Sequence, residues 1–471
     1  MPMSSALAVA DAPGPAFDAD LIAKYDGFGP RYTSYPTADR FTEAIGGDAI
    51  GRALAARHDA KSGRDLSLYV HLPFCSTICY YCACNKVITK DRGRSAKYIH
   101  FLAREVDMVA ALSGRDSPVR QLHWGGGTPT FLSVEEMGEL MGILRRRFGF
   151  ASDAECSIEV DPRSVTVDDI AALAWLGFNR MSVGVQDFDP NVQRAVNRIQ
   201  SEEETARVLD AARKTGFRSV NLDLIYGLPR QTVASFAATL DKVVAAAPDR
   251  IALYSYAHVP HLFKPQRRIE ESDLPSAGEK LGILELAIAR LGSAGYVYIG
   301  MDHFARPSDE LALAQKNGTL HRNFQGYSTS AGCDLLALGI SSISRVGDTY
   351  WQNVRTLDLY YASLDAGALP GFRGWQLSAD DVVRHDVIQA LLCRSLLSFA
   401  AIEAAHGIVF TDYFDVELQA LRPLADDGLI AIESDGIVVT PRGRLLVRVV
   451  AMVFDRYLRE QREGLRYSRV I

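Results

Sequence analysis

The sequence predicts an α/β fold built on a parallel sheet, with a smaller, mostly helical domain at its C-terminal end. Short β-branched runs alternate with amphipathic helical segments along much of the chain. Helices such as "VDDIAALAWLGF" and "EEETARVLDAARKTGF" carry a glycine suited to the left-handed position after a helix C-terminus. The least ordinary loops follow strands, where α/β proteins place their chemistry.

Six strands are read in order, at "LSLYVHL", "RQLHW", "CSIEV", "MSVGV", "SVNLDLIYG" and "RIALYSY". Their sheet is either doubly wound or curled into a full or partial barrel. After the first strand comes "PFCSTICYYCAC", after the second "GGGTPT", after the third "DPR" and after the fourth "QDF". Four unusual loops on one rim mark a site. A further pair, "AGEKLGILELAIARLGSAG" then "YVYIGMDHF", extends the sheet, and the chain turns irregular through "RNFQGYSTSAGCDLLALGISSIS". Beyond "GALPGFRGW" a small domain begins near Gly371, with helices followed by a two-stranded wing in "LADDGLIAIESDGIVVTPRGRLLV". Wings often serve DNA, but residues 401–450 hold eight acidic side chains against four arginines, the wrong sign for phosphate contacts. A structural or substrate-covering role is expected instead.

The formal charge of −6 over 471 residues gives no global attraction to nucleic acid or anionic lipid. No apolar run approaches the ~18 residues that suggest a membrane span. The opening "MPMSSALAVADAPGPAFDAD" has an apolar patch without a preceding Lys or Arg, and reads as a frayed tail and not a secretory signal. The expectation is a cytoplasmic protein with no nucleic-acid partner and no membrane insertion.

Four of the seven cysteines fall between Cys75 and Cys84. Cys75, Cys79 and Cys82 form C-x3-C-x2-C, and Cys84 follows two residues on. Thiolates bind soft metals, which leaves an iron–sulfur cluster or zinc. Structural zinc usually draws on two separated ligand pairs, whereas this is one compact loop. Three sulfurs on three corners of a cubane would leave the fourth iron to a non-protein ligand. Cys156, Cys333 and Cys393 are scattered and read as small core hydrophobes.

The cysteine spacing, Tyr81 just before the third cysteine and the following "GGGTP" resemble the radical S-adenosylmethionine superfamily. That resemblance implies that a [4Fe-4S] cluster binds S-adenosylmethionine at its open iron, and that one electron splits the sulfonium to give a 5′-deoxyadenosyl radical that abstracts hydrogen. Further strings, from "KYDGFGPRYTSYPTADRF" through "SIEVDPR", "GFNRMSVGVQDF", "VNLDLIYGLP", "GMDHFARPSDELA" and "HRNFQGYST" to the final "SRVI", are similar to the oxygen-independent coproporphyrinogen III dehydrogenase (oxidase) family. They span Asp20 to Ile471. The rival haem chaperone group, which shares the radical fold, typically lacks a counterpart of Cys84 and of "GPRYTSYP". A zinc-bound winged-helix interaction protein is the rival of another class.

The resemblance narrows the fold to a partial (β/α) barrel of about six or seven parallel strands, with a helical C-terminal domain and a possible winged hairpin. It implies a tail over 1–19, a substrate-covering segment over 20–66, the barrel over 67–305, an irregular extension closing the site over 306–370, and the helical domain over 371–471. The implied reaction turns two propionates of coproporphyrinogen III into vinyl groups with loss of carbon dioxide, a step no side-chain base could start at an unactivated carbon. It uses two S-adenosylmethionine molecules and an unidentified electron donor and acceptor; a monomer is the default.

By the same resemblance Cys75, Cys79 and Cys82 hold the cluster, and Tyr69, Cys84 and Gln325 serve catalysis, with Tyr69 also touching the cofactor. Gly126 faces the first S-adenosylmethionine, Gly127 and Thr128 the second, Glu159 the ribose hydroxyls, and Ile343 packs at the first. Tyr81, Gln186, Arg198, Asp223 and Ala257 belong to the second. From the residues alone, Gly125 to Gly127 could form a simple turn, Asp223 a hydrogen-bonded barrel residue and Arg198 a surface ion pair. Arg31 and Arg322 are candidates to grip substrate carboxylates or to form ordinary ion pairs. His258, His303 and His321 read as proton handlers or satisfied core histidines.

Overall fold

A computed structural model of the 471-residue chain describes residues 14–59, 63–114, 117–460 and 467–471. Residues 1–13 of the expected tail lie outside the described residues. The chain forms two compact units, one of Phe41–Lys280 with Gly332–Gln376, the other of the segments up to Arg40, Leu281–Ala331 and Leu377–Ile471.

In the first unit the six expected strands form in order: β1 Leu66–Leu72, β2 Val119–Gly126, β3 Phe150–Val160, β4 Arg180–Gln186, β5 Ser219–Tyr226 and β6 Arg250–Ser255. Each is parallel to its neighbour. A seventh parallel strand, β7 Asp334–Leu338, lies on the other side of β1, with Tyr69 opposite Ala337. It comes from the stretch read as irregular, because five residues next to a glycine carry too little period to be seen. Three antiparallel strands, Ile343–Val346, Thr349–Asn353 and Gly371–Gln376, continue from it. Burial is densest in β1, at six of seven residues, while β2 to β6 mix buried positions with half-exposed ones.

Helices α1 Gly93–Ser113, α2 Val134–Arg147, α3 Val167–Trp175, α4 Glu202–Lys214 and α5 Val233–Ala246 make the crossovers. Capping boxes start α2 to α5, at Ser133, Thr166, Ser201 and Thr232, so orphan N–H groups are met by side chains. The helices bury apolar faces such as Met137, Leu140, Met141 and Leu144, each worth roughly 1.5–3 kcal/mol.

One buried polar network ties α1 to the far strands. Glu105 accepts hydrogen bonds from Gly339 N (2.7 Å), Asn353 Nδ2 (2.6 Å) and the Tyr360 hydroxyl (2.6 Å). Burial pushes its carboxyl up to about 7, against the pull of those donors. Two turns earlier on the same helix, the Tyr98 hydroxyl donates to the His71 carbonyl (2.8 Å) and accepts from Ile340 N (3.0 Å).

In the second unit, "YVYIGMDHF" makes an antiparallel hairpin, Val297–Gly300 with His303–Ala305. The expected wing is the hairpin Ile430–Ile432 with Gly436–Val439, joined by Leu396–Ser398 in a three-stranded sheet. The Gly27–Pro30 stretch packs on the C-terminal part of the chain: Val470 N donates to the Gly27 carbonyl (2.8 Å), and the buried Arg448 donates to the Pro30 carbonyl (3.0 Å). No helix among the described residues is long and apolar enough to cross a membrane.

Candidate active site

The cysteine loop leaves the end of β1 and is held at both ends by backbone. Phe74–Cys75 pairs in parallel with Val87–Ile88, and Thr128 N donates to the Phe74 carbonyl (2.9 Å). Between them Tyr80 N donates to the Val196 carbonyl (2.9 Å), and Asn197 Nδ2 to the Ile78 carbonyl (2.7 Å). Gln266 Nε2 reaches the Tyr81 carbonyl (3.0 Å) and the Ala257 carbonyl (3.2 Å). Lys86 Nζ donates to the carbonyls of Cys82 (3.1 Å) and Cys84 (3.2 Å).

The loop forms one wall of a cavity of about 520 Å³. Cys75, Cys79, Cys82, Cys84 and Tyr81 line it together with Gly126, Gly127, Thr128, Glu159, Gln186, Arg198 and Asp223. Burial pushes the Cys75 thiol up to about 11, while Thr128 Oγ1 donates to its sulfur (3.4 Å). The hydrogen bond between Cys82 and Cys84 lowers the Cys82 thiol and raises that of Cys84. Arg198, buried, donates to Cys79 Sγ (3.7 Å), Asp161 Oδ2 (3.2 Å) and the Gly184 carbonyl (2.6 Å).

The glycine turn is as tight as its sequence suggested. Gly126 sits at φ +115°, and a Cβ there would lie 2.5 Å from the His71 ring. A Cβ on Gly127 would lie 2.6 Å from the Pro73 carbonyl, which is backbone and cannot swing away. Gly127→Ala is therefore expected to lower stability by about 1–3 kcal/mol and to displace the segment entering Cys75, read as a lower melting temperature and less iron retained per chain.

Glu159 accepts from Gly126 N (3.1 Å) and faces His123 Nε2 (3.3 Å). Burial works against its charge, but His123 and the Gly126 N–H outweigh it and hold the carboxyl below its ordinary range. Asp223 accepts from Ser182 Oγ (2.8 Å) and Asn221 Nδ2 (2.7 Å), and burial still lifts it to about 6. Gln186 ends β4 at φ +69°, a conformation costly for a non-glycine residue and common at functional sites.

Tyr69, Ala257 and Ile343 are not among the residues lining the cavity. The Tyr69 hydroxyl is hydrogen-bonded to His71 Nδ1 (3.2 Å), and its ring stacks on His123 at 5.8 Å. Gln325 lies in the second unit, with its amide nitrogen buried and unpartnered among the described residues. Arg31 and Arg322 lie there too; Arg31 pairs with Asp302, and Arg322 donates to the Arg31 carbonyl (3.2 Å) and rests on the Tyr327 ring. Sequence reading singled out neither Asp161, which braces Arg198 and Arg163, nor His123, which orients Glu159. Asp161 stood in view within "DPR", and His123 shares the strand face of Gly125 by the period of two. Gln266 carried no signal, since its contacts exist only once the loop is folded.

The donor set fits an iron–sulfur cluster: three soft thiols from one anchored loop face one cavity. Among the described residues no three His, Cys, Asp or Glu side chains converge to hold a single metal ion, which does not suit mononuclear zinc. A cubane asks for separated sulfurs, one per corner.

Residues 69–243 match the Radical SAM superfamily, and residues 377–446 the HemN C-terminal domain. A Pseudomonas aeruginosa protein named oxygen-independent coproporphyrinogen III oxidase is 53% identical over 457 residues, 97% of this chain and 99% of its own length. Its namesake in Escherichia coli K12 is 50% identical over 456 residues, covering 97% of this chain and 98% of that protein. A solved structure described as "Coproporphyrinogen III oxidase (HemN) from Escherichia coli is a Radical SAM enzyme" aligns with a TM-score of 0.90 at 48% identity, over 95% of this chain and 100% of that one. The chain belongs to the oxygen-independent coproporphyrinogen III oxidase family of the radical SAM superfamily.

Proposed function

We propose that this chain catalyses the oxygen-independent oxidative decarboxylation of coproporphyrinogen III to protoporphyrinogen IX in haem biosynthesis. The observation that carries the reading is the single cavity at the strand ends, where a three-cysteine loop, a glycine turn and Glu159 meet, in a chain half identical over nearly its whole length to proteins of that name. When bound, a [4Fe-4S] cluster and S-adenosylmethionine supply a 5′-deoxyadenosyl radical able to take hydrogen from an unactivated propionate carbon.

The protein's part is to hold and orient. Cys75, Cys79 and Cys82 hold the cluster. Gly126 admits the first S-adenosylmethionine, Glu159 accepts from its ribose hydroxyls, and Ile343 gives it an apolar contact. Gly127, Thr128, Tyr81, Gln186, Arg198, Asp223 and Ala257 serve a second molecule. Arg198, fixed by Asp161 and the Gly184 carbonyl, offers a charge already oriented, and the lowered Glu159 stays ionised as an acceptor at neutral pH. Tyr69, Cys84 and Gln325 are assigned to the catalytic machinery. The protein acts as a cytoplasmic monomer that takes electrons from a separate donor and passes the electrons left by the decarboxylating substrate to an acceptor.

Anaerobic, reduced, cluster-loaded protein given S-adenosylmethionine and coproporphyrinogen III is expected to form 5′-deoxyadenosine and vinyl-bearing porphyrinogen together. Deoxyadenosine without decarboxylated product would refute the substrate.

A further inference from the structure

The chain carries a net charge of −6, yet residues 86–97, which run straight on from the cysteine loop, hold five cations and one acid. Lys90, Arg92, Arg94 and Lys97 are all exposed, and so is Arg355, whose carbonyl accepts from Asn85 Nδ2 (2.9 Å) and thereby places it beside Cys84. Among the described residues none of these five is paired with a carboxylate. Other arginines of the same unit are, as in Arg104 with Asp365 (2.7 Å), Arg120 with Asp65 (2.6 Å) and Arg147 with Asp107 (2.5 Å). The lone acid of the run, Asp91, is exposed too and accepts from Gly93 N (2.9 Å), so it offsets one of the charges.

Unpaired like charges repel one another, so a cluster of them is a cost unless something acidic meets it. Lys90, Arg94 and Lys97 lie outside the cavity lining, and Lys97 rests over the Tyr361 ring at 4.6 Å on the flank of α1. A small substrate inside the cavity therefore leaves them unmet. What remains is an acidic macromolecule seated on the outside of the cysteine loop. Electron transfer falls steeply with distance, and this face adjoins the cysteine loop: Cys84 is exposed, and Lys86, the first cation of the run, donates to the Cys82 and Cys84 carbonyls.

We propose that this basic face is the docking surface for a small acidic one-electron carrier protein that reduces the cluster. The proposal rests on the function proposed above. The carrier loses one electron and the cluster gains it; no bond forms or breaks at the face. Such encounters are small, transient and steered by charge, which raises their on-rates and makes them fall with salt.

The test compares the full chain with a Lys90→Glu/Arg94→Glu/Lys97→Glu variant, both loaded with cluster, in stopped-flow reduction by a reduced acidic flavodoxin and by photoreduced deazaflavin, an uncharged reductant. The flavodoxin rate is expected to fall about tenfold or more in the variant at low salt, and to lose its salt dependence, with the deazaflavin rate unchanged. Independently of any cluster, zero-length carbodiimide cross-linking to flavodoxin is expected to map to Lys90 and Lys97. An unchanged flavodoxin rate, a parallel fall of both rates, or cross-links elsewhere would overturn the docking face. Protein that takes up no reducible cluster would instead refute the functional reading on which it rests.

Discussion

Cys79→Ser is expected to strip the protein of its iron, whereas Cys84→Ser keeps it. Serine offers a hard hydroxyl that stays protonated at neutral pH, so the exchange removes a ligand without changing the side chain's size much. Cys79 sits mid-loop where Tyr80, Ile78 and Cys82 are pinned by backbone or side-chain hydrogen bonds, so the loop cannot offer another donor at that corner. With three protein ligands, losing one leaves two, too few to retain a cluster against chelation. Cys84 is exposed, and its hydrogen bond goes to Cys82. Iron and sulfide per chain after anaerobic reconstitution are expected near zero for the first variant and at the wild-type level for the second. Equal loss in both would overturn the ligand assignment.

Glu105→Ala is expected to be the most destabilising single change away from the site. It orphans the Gly339 N–H, the Asn353 amide and the Tyr360 hydroxyl, all buried, and each unsatisfied donor costs about 1–3 kcal/mol. A loss of roughly 3–5 kcal/mol in unfolding free energy follows, since such costs are not additive. Glu105→Gln keeps shape and one acceptor and should lose much less. The two also differ with pH. The carboxyl is raised from 4.5 to about 7 in the folded protein, so its favourable contribution is present below about 4.5 and fades as pH rises through 7. Relative to Glu105→Gln, the wild type is therefore expected to be more stable at pH 5 than at pH 8, by about 3 kcal/mol at most. Denaturant titrations of both proteins across that window check it; a gap constant with pH would contradict the shift.

What could be read in the sequence was what local pattern encodes. β1 to β6 show because short runs with β-branched and apolar residues alternate with helical segments, and the cysteine loop, the glycine turn and Glu159 show because they lie at the ends of such runs. β7 and the Glu105 network do not. Glu105 meets Gly339 and Asn353 across 234 and 248 residues, and nothing local to a helical glutamate announces such partners. His123 and Asp161 were within reach but unremarkable in type. Tyr69, Ala257, Ile343 and Gln325 came from resemblance alone, and the first three stand outside the cavity lining while the last belongs to the second unit.

Nitrogen-labelled S-adenosylmethionine added to the reduced, cluster-loaded protein, followed by pulsed electron–nuclear resonance, tests the central claim most directly. A hyperfine coupling between the label's amino nitrogen and one unique iron is the expected result, unchanged in Cys84→Ser. A cluster whose four irons are all held by the polypeptide, showing no coupling to the label, would contradict it.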